Sequence, residues 1–326
     1  MNKPLIYTLK VFRRFYQKVD KQPFKYVRGI QEQEMASIKI SEKLLAPEPC
    51  MIARFGAFEL HMLLNYLAIK NYKYRISSYL VGKTDQWWWN RKLMNSMKNN
   101  AGFFPNDEKH ISQFCELMLK DIAEVDILGS WLYTEKNVDI YRSKNSLNMH
   151  LRLLEPFWSE TPWTSALKGK KVLVVHPFSE TIVQQYKKRS LLFDKEILPE
   201  FELRTIQAVQ SLGGDSAFKT WFEALDYMKA EIDKQDYDVC LIGAGAYGFP
   251  LTAHVKRQGK KAVHLGGALQ LLFGIRGKRW ENPDYGVITW GIPKGSYSNL
   301  MNEHWVRPGE VTKPKNAQSV EGACYW

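Results

Sequence analysis

The sequence contains no apolar run of about 18 residues, so no transmembrane helix is expected. It also lacks the apolar core of a secretory signal, because Lys10, Arg13 and Arg14 interrupt the first segment. Cysteine is scarce. The residues at 50, 115, 240 and 324 show neither CxxC spacing nor histidine partners at zinc-ligand distances, a pattern that fits a reducing cytoplasm. There is no internal repeat and no low-complexity segment. Acidic residues are almost missing from residues 1–30, where eight Lys or Arg face Asp20 alone and hold most of the net charge of +12. These basic residues build no recognisable nucleic-acid module, and the eleven tryptophans are scattered rather than interleaved with them. Nucleic acid is therefore not an expected partner.

Hydrophobic residues at 45% and charged residues at 25% exclude a disordered chain, and 326 residues suffice for one large α/β domain or two smaller ones. Leu5, Leu9, Phe12, Tyr16 and Val19 follow helical spacing and put an apolar stripe on the basic N-terminal segment. Such a helix suits either an anionic membrane surface or packing on the domain or a partner helix. A further helix is expected over 30–45. Beyond it, short apolar runs predict strands over 51–54, 74–79, 125–131, 171–176, 203–208, 239–242, 262–265 and 286–289, alternating with helices that include 107–123, 181–189, 217–234 and 251–258. This alternation predicts a Rossmann-like α/β fold, a mostly parallel sheet with helices on both faces. The division expected is a basic amphipathic helical segment over 1–45 and an α/β domain over 46–326. A connection or boundary falls at 155–170.

At residues 50–59 a buried strand delivers Arg54 to its end, Gly56 makes a turn, and Glu59 falls in the first turn of the next helix. Strand ends of an open α/β sheet and helix N-termini are where anionic ligands bind, so Arg54 and Glu59 either line a ligand site or form an ion pair that fixes the turn. Later, 239–242 runs into Gly243-Ala244-Gly245-Ala246-Tyr247-Gly248, which matches GxGxxG after a strand. No acidic ribose ligand follows at the distance a dinucleotide site needs; the next strand ends in His264-Leu265-Gly266-Gly267. The loop is thus either a phosphate- or sugar-facing turn or a structural one. Gly266 and Gly267 permit close approach of a phosphate, and Arg276, Lys278 and Arg279 follow as cations for a diphosphate. His176 and His264 end equivalent strands, which places two candidate bases at one crevice. Trp87, Trp88 and Trp89 cannot all face the core if they lie on a helix. The aromatic end of the sequence, Tyr325-Trp326, is expected to dock on the domain.

The Arg54-Phe55-Gly56-Ala57-Phe58-Glu59 corner, together with the α/β pattern and the late glycine loops, resembles the GT-D-type glycosyltransferases of bacterial surface-glycan assembly. Their signature is an Arg-aromatic-Gly-Asp-x-Glu turn whose Asp and Glu help bind a divalent metal and a nucleotide-sugar diphosphate. Arg54, Gly56 and Glu59 stand at matching positions, and Ala57 replaces the aspartate. The resemblance implies sugar transfer from a nucleoside diphosphate to a hydroxyl of a glycan or lipid-linked glycan at the cytoplasmic face of the membrane. It implies Glu59 as base or residual ligand for Mn²⁺ or Mg²⁺, His264 or His176 as alternative base, and Arg54, Arg276 and Arg279 as diphosphate clamp. Ala57 in place of the aspartate removes one hard oxygen ligand and weakens the expected metal dependence. A non-catalytic scaffold of a glycan-synthesis complex, and a Rossmann-like methyltransferase or other nucleotide-dependent enzyme, are the alternatives.

Overall fold

The computed structural model describes residues 3–19, 28–70, 76–81, 86–211, 217–309 and 324–326. Seven strands form one sheet: β1 (Cys50–Ala53), β2 (Ile127–Ser130), β3 (Leu147–His150), β4 (Lys171–His176), β5 (Glu202–Gln207), β6 (Val239–Ile242) and β7 (Lys261–His264). All neighbours pair in parallel, in the order β3-β2-β1-β7-β6-β4-β5. Strands β1, β2 and β6 are buried at every position, as parallel strands covered on both faces must be. Their continuous apolar runs have this cause.

The principal helices are α1 (Lys3–Val19), α2 (Gln33–Leu45), α3 (Ala57–Lys70), α4 (Ile76–Leu80), α5 (Arg91–Ala101), α6 (Glu108–Ile122), α7 (Ser179–Tyr186), α8 (Trp221–Asp233), α9 (Gly248–Arg257) and α10 (Ala268–Leu272). Local chemistry fixes several starts. Asn90, Asp107 and Thr220 each accept a backbone N–H of the first turn, of Leu93, His110 and Glu223 respectively. Helices α3, α5, α6, α8 and α9 bury their apolar sides in one core with Met51, Leu128 and Ile242, while α2, α7 and α10 share the opposite core with Ile52, Val174 and Leu241. Successive strand residues thus feed alternate cores.

The connections position the site. From β4 the chain leaves through α7 toward β5 on one face, and from adjacent β6 it leaves through α9 toward β7 on the other. Between them the strand order reverses, which opens a crevice at the C-terminal ends of β4 and β6. Strands β7 and β1 continue that edge; β7 ends in His264, and Arg54 directly follows β1.

Two expected strands are corrected. Residues 76–80 form α4 rather than part of a strand over 74–79, because Tyr79, its one buried side chain, packs against Trp87 and Trp88 instead of pairing in the sheet; residues 74 and 75 lie outside the described residues. In place of a strand over 286–289, Gly286 at φ 83° and Gly291 at φ 66° bracket one helical turn, Val287–Trp290. Strand β3 was not expected, since only Met149 of Leu-Asn-Met-His is buried at this sheet edge. The three consecutive tryptophans lie in the non-helical stretch 86–90, each half-buried. Residues 155–170 are short 3-10 turns packed beside α2, with Trp163 fully buried.

Candidate functional site

The corner after β1 is built around the helix start. Phe55 turns inward and stacks on Phe249 of α9 at 4.9 Å, and its carbonyl accepts the Trp131 indole N–H at 3.0 Å. Gly56 O accepts the first intrahelical bond from Leu60, which makes Gly56 the cap of α3. Glu59 curls back over this cap: a Cβ at position 56 would lie 1.9 Å from its Oε2. Only glycine leaves room for the carboxylate, which rests where the positive end of the helix favours it. Burial nevertheless pushes the Glu59 carboxyl pKa up, against the lowering by its own backbone N–H and by Arg54.

Arg54 lies over the ring of Trp131, 5.1 Å from its centre, and its buried Nε has no hydrogen-bond partner. Burial lowers its pKa, with Tyr325 and Glu59 pulling the other way; a guanidinium stays charged all the same. Among the described residues no ion pair joins Arg54 to Glu59. Both face a cavity of about 240 Å³ at the sheet edge. The cation and the carboxylate are thereby left available to a ligand.

The two glycine turns meet on the same cavity. Gly245 has φ 52° and open space where a Cβ would point, so the loop after β6 presents backbone there. Gly243 is pressed against His176 and the Gly266 carbonyl, at 2.6 and 2.8 Å from an added Cβ, and Gly266 lies against Arg54 Nη1. From the far side comes Arg279, whose guanidinium lies over Tyr325 at 4.9 Å and donates to Cys324 Sγ at 2.9 Å. Burial lowers its pKa, but Tyr325 and Cys324 more than offset this and raise it overall.

The histidines are distinct from solvent bases. His176 Nδ1 accepts the Phe178 backbone N–H at 3.0 Å, which puts the proton of the neutral ring on Nε2. His264 is packed against Gly248, where an added Cβ would lie 2.3 Å from Nε2. Burial holds both rings neutral, with pKa values pulled down to about 3, helped at His264 by the Arg54 charge.

Of the residues singled out in the sequence, Arg54, Gly56, Glu59, His176, Gly243, Gly245, Tyr247, His264, Gly266, Gly267 and Arg279 line this cavity. Gly248 and Arg276 do not. Gly248 sits behind His264, and Arg276 donates through Nη2 to the Asn302 carbonyl at 2.6 Å, in a structural tie. Tyr247 stacks on Trp221 at 4.8 Å and shares a 2.7 Å hydrogen bond with Ser211. Sequence reading missed Trp131, Phe178, Gln210 and Ser211, which the fold alone brings to the site. Tyr325 and Trp326 dock there too: Gln270 Nε2 donates to the Tyr325 carbonyl, and Trp326 packs edge-on to Phe178 at 5.9 Å.

A divalent cation held by protein carboxylates does not fit these donors. Glu59 is the single acidic side chain on the cavity among the described residues, two arginines share the space, and no group of three or more His, Cys, Asp or Glu converges among those residues.

No family model and no curated protein matches the chain. Two solved structures are similar to it. One is described as a selenomethionine-substituted domain of unknown function 1792, at 11% identity, and the other as that highly conserved domain with a distinct glycosyltransferase fold, at 10% identity. Each alignment covers 92% of this chain and 99% of the other, with a TM-score of 0.36.

Proposed function

We propose that the chain is a glycosyltransferase that moves a sugar from a nucleoside diphosphate donor to a hydroxyl of a bacterial surface glycan. The observation that carries this reading is the convergence of Arg54 and Arg279 with the turns at Gly243–Gly245 and Gly266–Gly267 on one cavity at the strand-order reversal. Two guanidiniums and exposed backbone are what a diphosphate needs, first as ligand and then as leaving group gaining charge. The resemblance of the Arg54-to-Glu59 corner to the GT-D signature supports sugar as the transferred group.

The roles divide by chemistry. Arg54 and Arg279 neutralise the diphosphate, and His176 donates its Nε2 proton as a hydrogen bond to an anionic oxygen. Glu59 takes the proton of the attacking hydroxyl: it is the cavity's carboxylate, and burial moves its basicity toward the working range of a general base. His264, held neutral, shapes the wall behind Gly266. With cations supplied by the chain itself, no step runs through a metal. The four buried thiols support a cytoplasmic setting.

The test is release of nucleoside diphosphate from UDP-, GDP- and CDP-sugars in the presence of glycan acceptors. Glu59→Gln should lose turnover and keep donor binding, whereas Arg54→Lys should weaken donor binding. A wild-type protein that releases no diphosphate from any donor would refute catalysis. It would return the chain to the scaffold reading.

A further inference from the structure

Helix α1 turns its smaller side to the protein. It packs on α4, with Leu9 buried and the Arg13 guanidinium 4.5 Å from the centre of the Tyr79 ring. Leu9 and Arg13 are four residues apart and mark the inner face. The stripe expected from sequence is therefore split, because Leu5 and Phe12 point outward; the side chains of Tyr16 and Val19 lie outside the described residues.

Among the described side chains of α1, five apolar ones are exposed: Leu5, Tyr7, Val11, Phe12 and Phe15, with Tyr7 and Phe15 at 72%. At about 100° per residue, Tyr7, Val11 and Phe15 form one row and Leu5 and Phe12 a second, with exposed Thr8 between them. Lys10 and Arg14, both exposed, flank the first row. Single exposed apolar residues are ordinary, but five on the outer side of one helix mark a contact surface. Neighbouring α4 and its end add exposed Ile76 and Val81.

Charge selects the occupant. Helix α1 carries Lys3, Lys10, Arg13, Arg14 and Lys18 and no acidic residue, so a second copy of this helix would be repelled and an anionic surface attracted. Aromatic and aliphatic side chains on one arc with cations at its border form the composition of a helix lying in a bilayer interface. We propose that α1 seats this protein on an anionic membrane, with Leu5, Tyr7, Val11, Phe12 and Phe15 entering the acyl boundary and Lys10 and Arg14 meeting lipid phosphates. This rests on α1 alone and stands or falls independently of the cavity's chemistry.

The experiment is co-sedimentation of the full-length chain with phosphatidylcholine vesicles and with mixed phosphatidylglycerol–phosphatidylcholine vesicles over a salt series. Wild type should bind the mixed vesicles, release them as salt rises, and bind neutral vesicles far more weakly. Phe12→Glu with Phe15→Glu should lower affinity by about tenfold or more, since both rings leave the acyl boundary. Lys10→Glu with Arg14→Glu should remove the preference for anionic lipid. Should the first variant melt early, Phe12→Ser with Phe15→Ser carries the same test. Absence of wild-type binding, or unchanged binding by the aromatic variants, would overturn the proposal. So would a concentration-dependent oligomer that the aromatic variants dissociate in a protein that ignores vesicles.

Discussion

The Phe178 backbone N–H donates to His176 Nδ1 across 3.0 Å, and this one bond decides what His176 can do. A neutral imidazole with its Nδ1 lone pair engaged carries its proton on Nε2, which is then a donor. As a base it would have to surrender the Phe178 bond. In the mechanism we propose, the base is therefore Glu59, and His176 donates to an oxygen of the bound phosphate.

Burial of His176 and His264 predicts how stability follows pH. Both have folded pKa values of about 3 against 6.5 unfolded, so between those values the unfolded chain binds more protons and stability falls as pH falls. Each ring contributes a slope of about 1.4 kcal/mol per pH unit in that window, and none above it. Urea unfolding of His176→Asn, which keeps an acceptor for Phe178, should show a shallower loss below pH 6.5 than wild type. Parallel curves for the two proteins would mean that His176 is not held neutral.

Gly56→Ala separates structure from chemistry at the helix start. Its Cβ would meet the Glu59 carboxylate at 1.9 Å, and the end of a flexible side chain can swing away. The stability cost should therefore stay within about 1 kcal/mol, the worth of a carboxylate at a helix N-terminus. Turnover should drop as far as in Glu59→Gln, roughly hundredfold or more for loss of a general base. Denaturant melts alongside steady-state rates check both halves; a variant with full activity would remove Glu59 from the mechanism.

Donor binding should change little on addition of Mn²⁺ or on chelation by EDTA, because Glu59 is the single acidic side chain on the cavity among the described residues. Ala57→Asp adds a second hard oxygen donor two residues away, at a position that also lines the cavity, and should make binding respond to the metal. Calorimetric titrations with and without Mn²⁺ measure this directly. Tight, EDTA-sensitive binding by wild type would show that the donor set has been misassigned.

The parts of this protein readable in sequence are those where one local pattern meets one local need. Strands β1, β4, β6 and β7 read as apolar runs because helices cover them on both faces, and Arg54, Glu59 and the two glycine turns read as site residues because each directly follows such a run. Strand β3 was invisible because a half-buried sheet edge needs only Met149 to be apolar. The turn at Val287–Trp290 looked like a strand because Val287, Ile288 and Thr289 are all β-branched, but Ile288, 98% exposed, and Thr289 are not packed into the core. At the site, Trp131, Phe178 and Ser211 arrive through tertiary packing and carry no local signature. Arg276 shows the converse: a cation beside a glycine turn that tertiary structure ties to the Asn302 carbonyl.

The central claim is that Arg54 and Arg279 hold a diphosphate in the cavity at the strand-order reversal. Calorimetric titration of UDP, GDP, CDP, NAD and S-adenosylmethionine into wild type, Arg54→Lys and Arg279→Ala tests it most directly. One of the nucleoside diphosphates should bind wild type best, and each variant, folded by thermal melting, should bind it about tenfold or more weakly, the loss expected for a bidentate charge-assisted contact. Preference for NAD or S-adenosylmethionine, or unchanged nucleoside diphosphate affinity in both folded variants, would contradict the account.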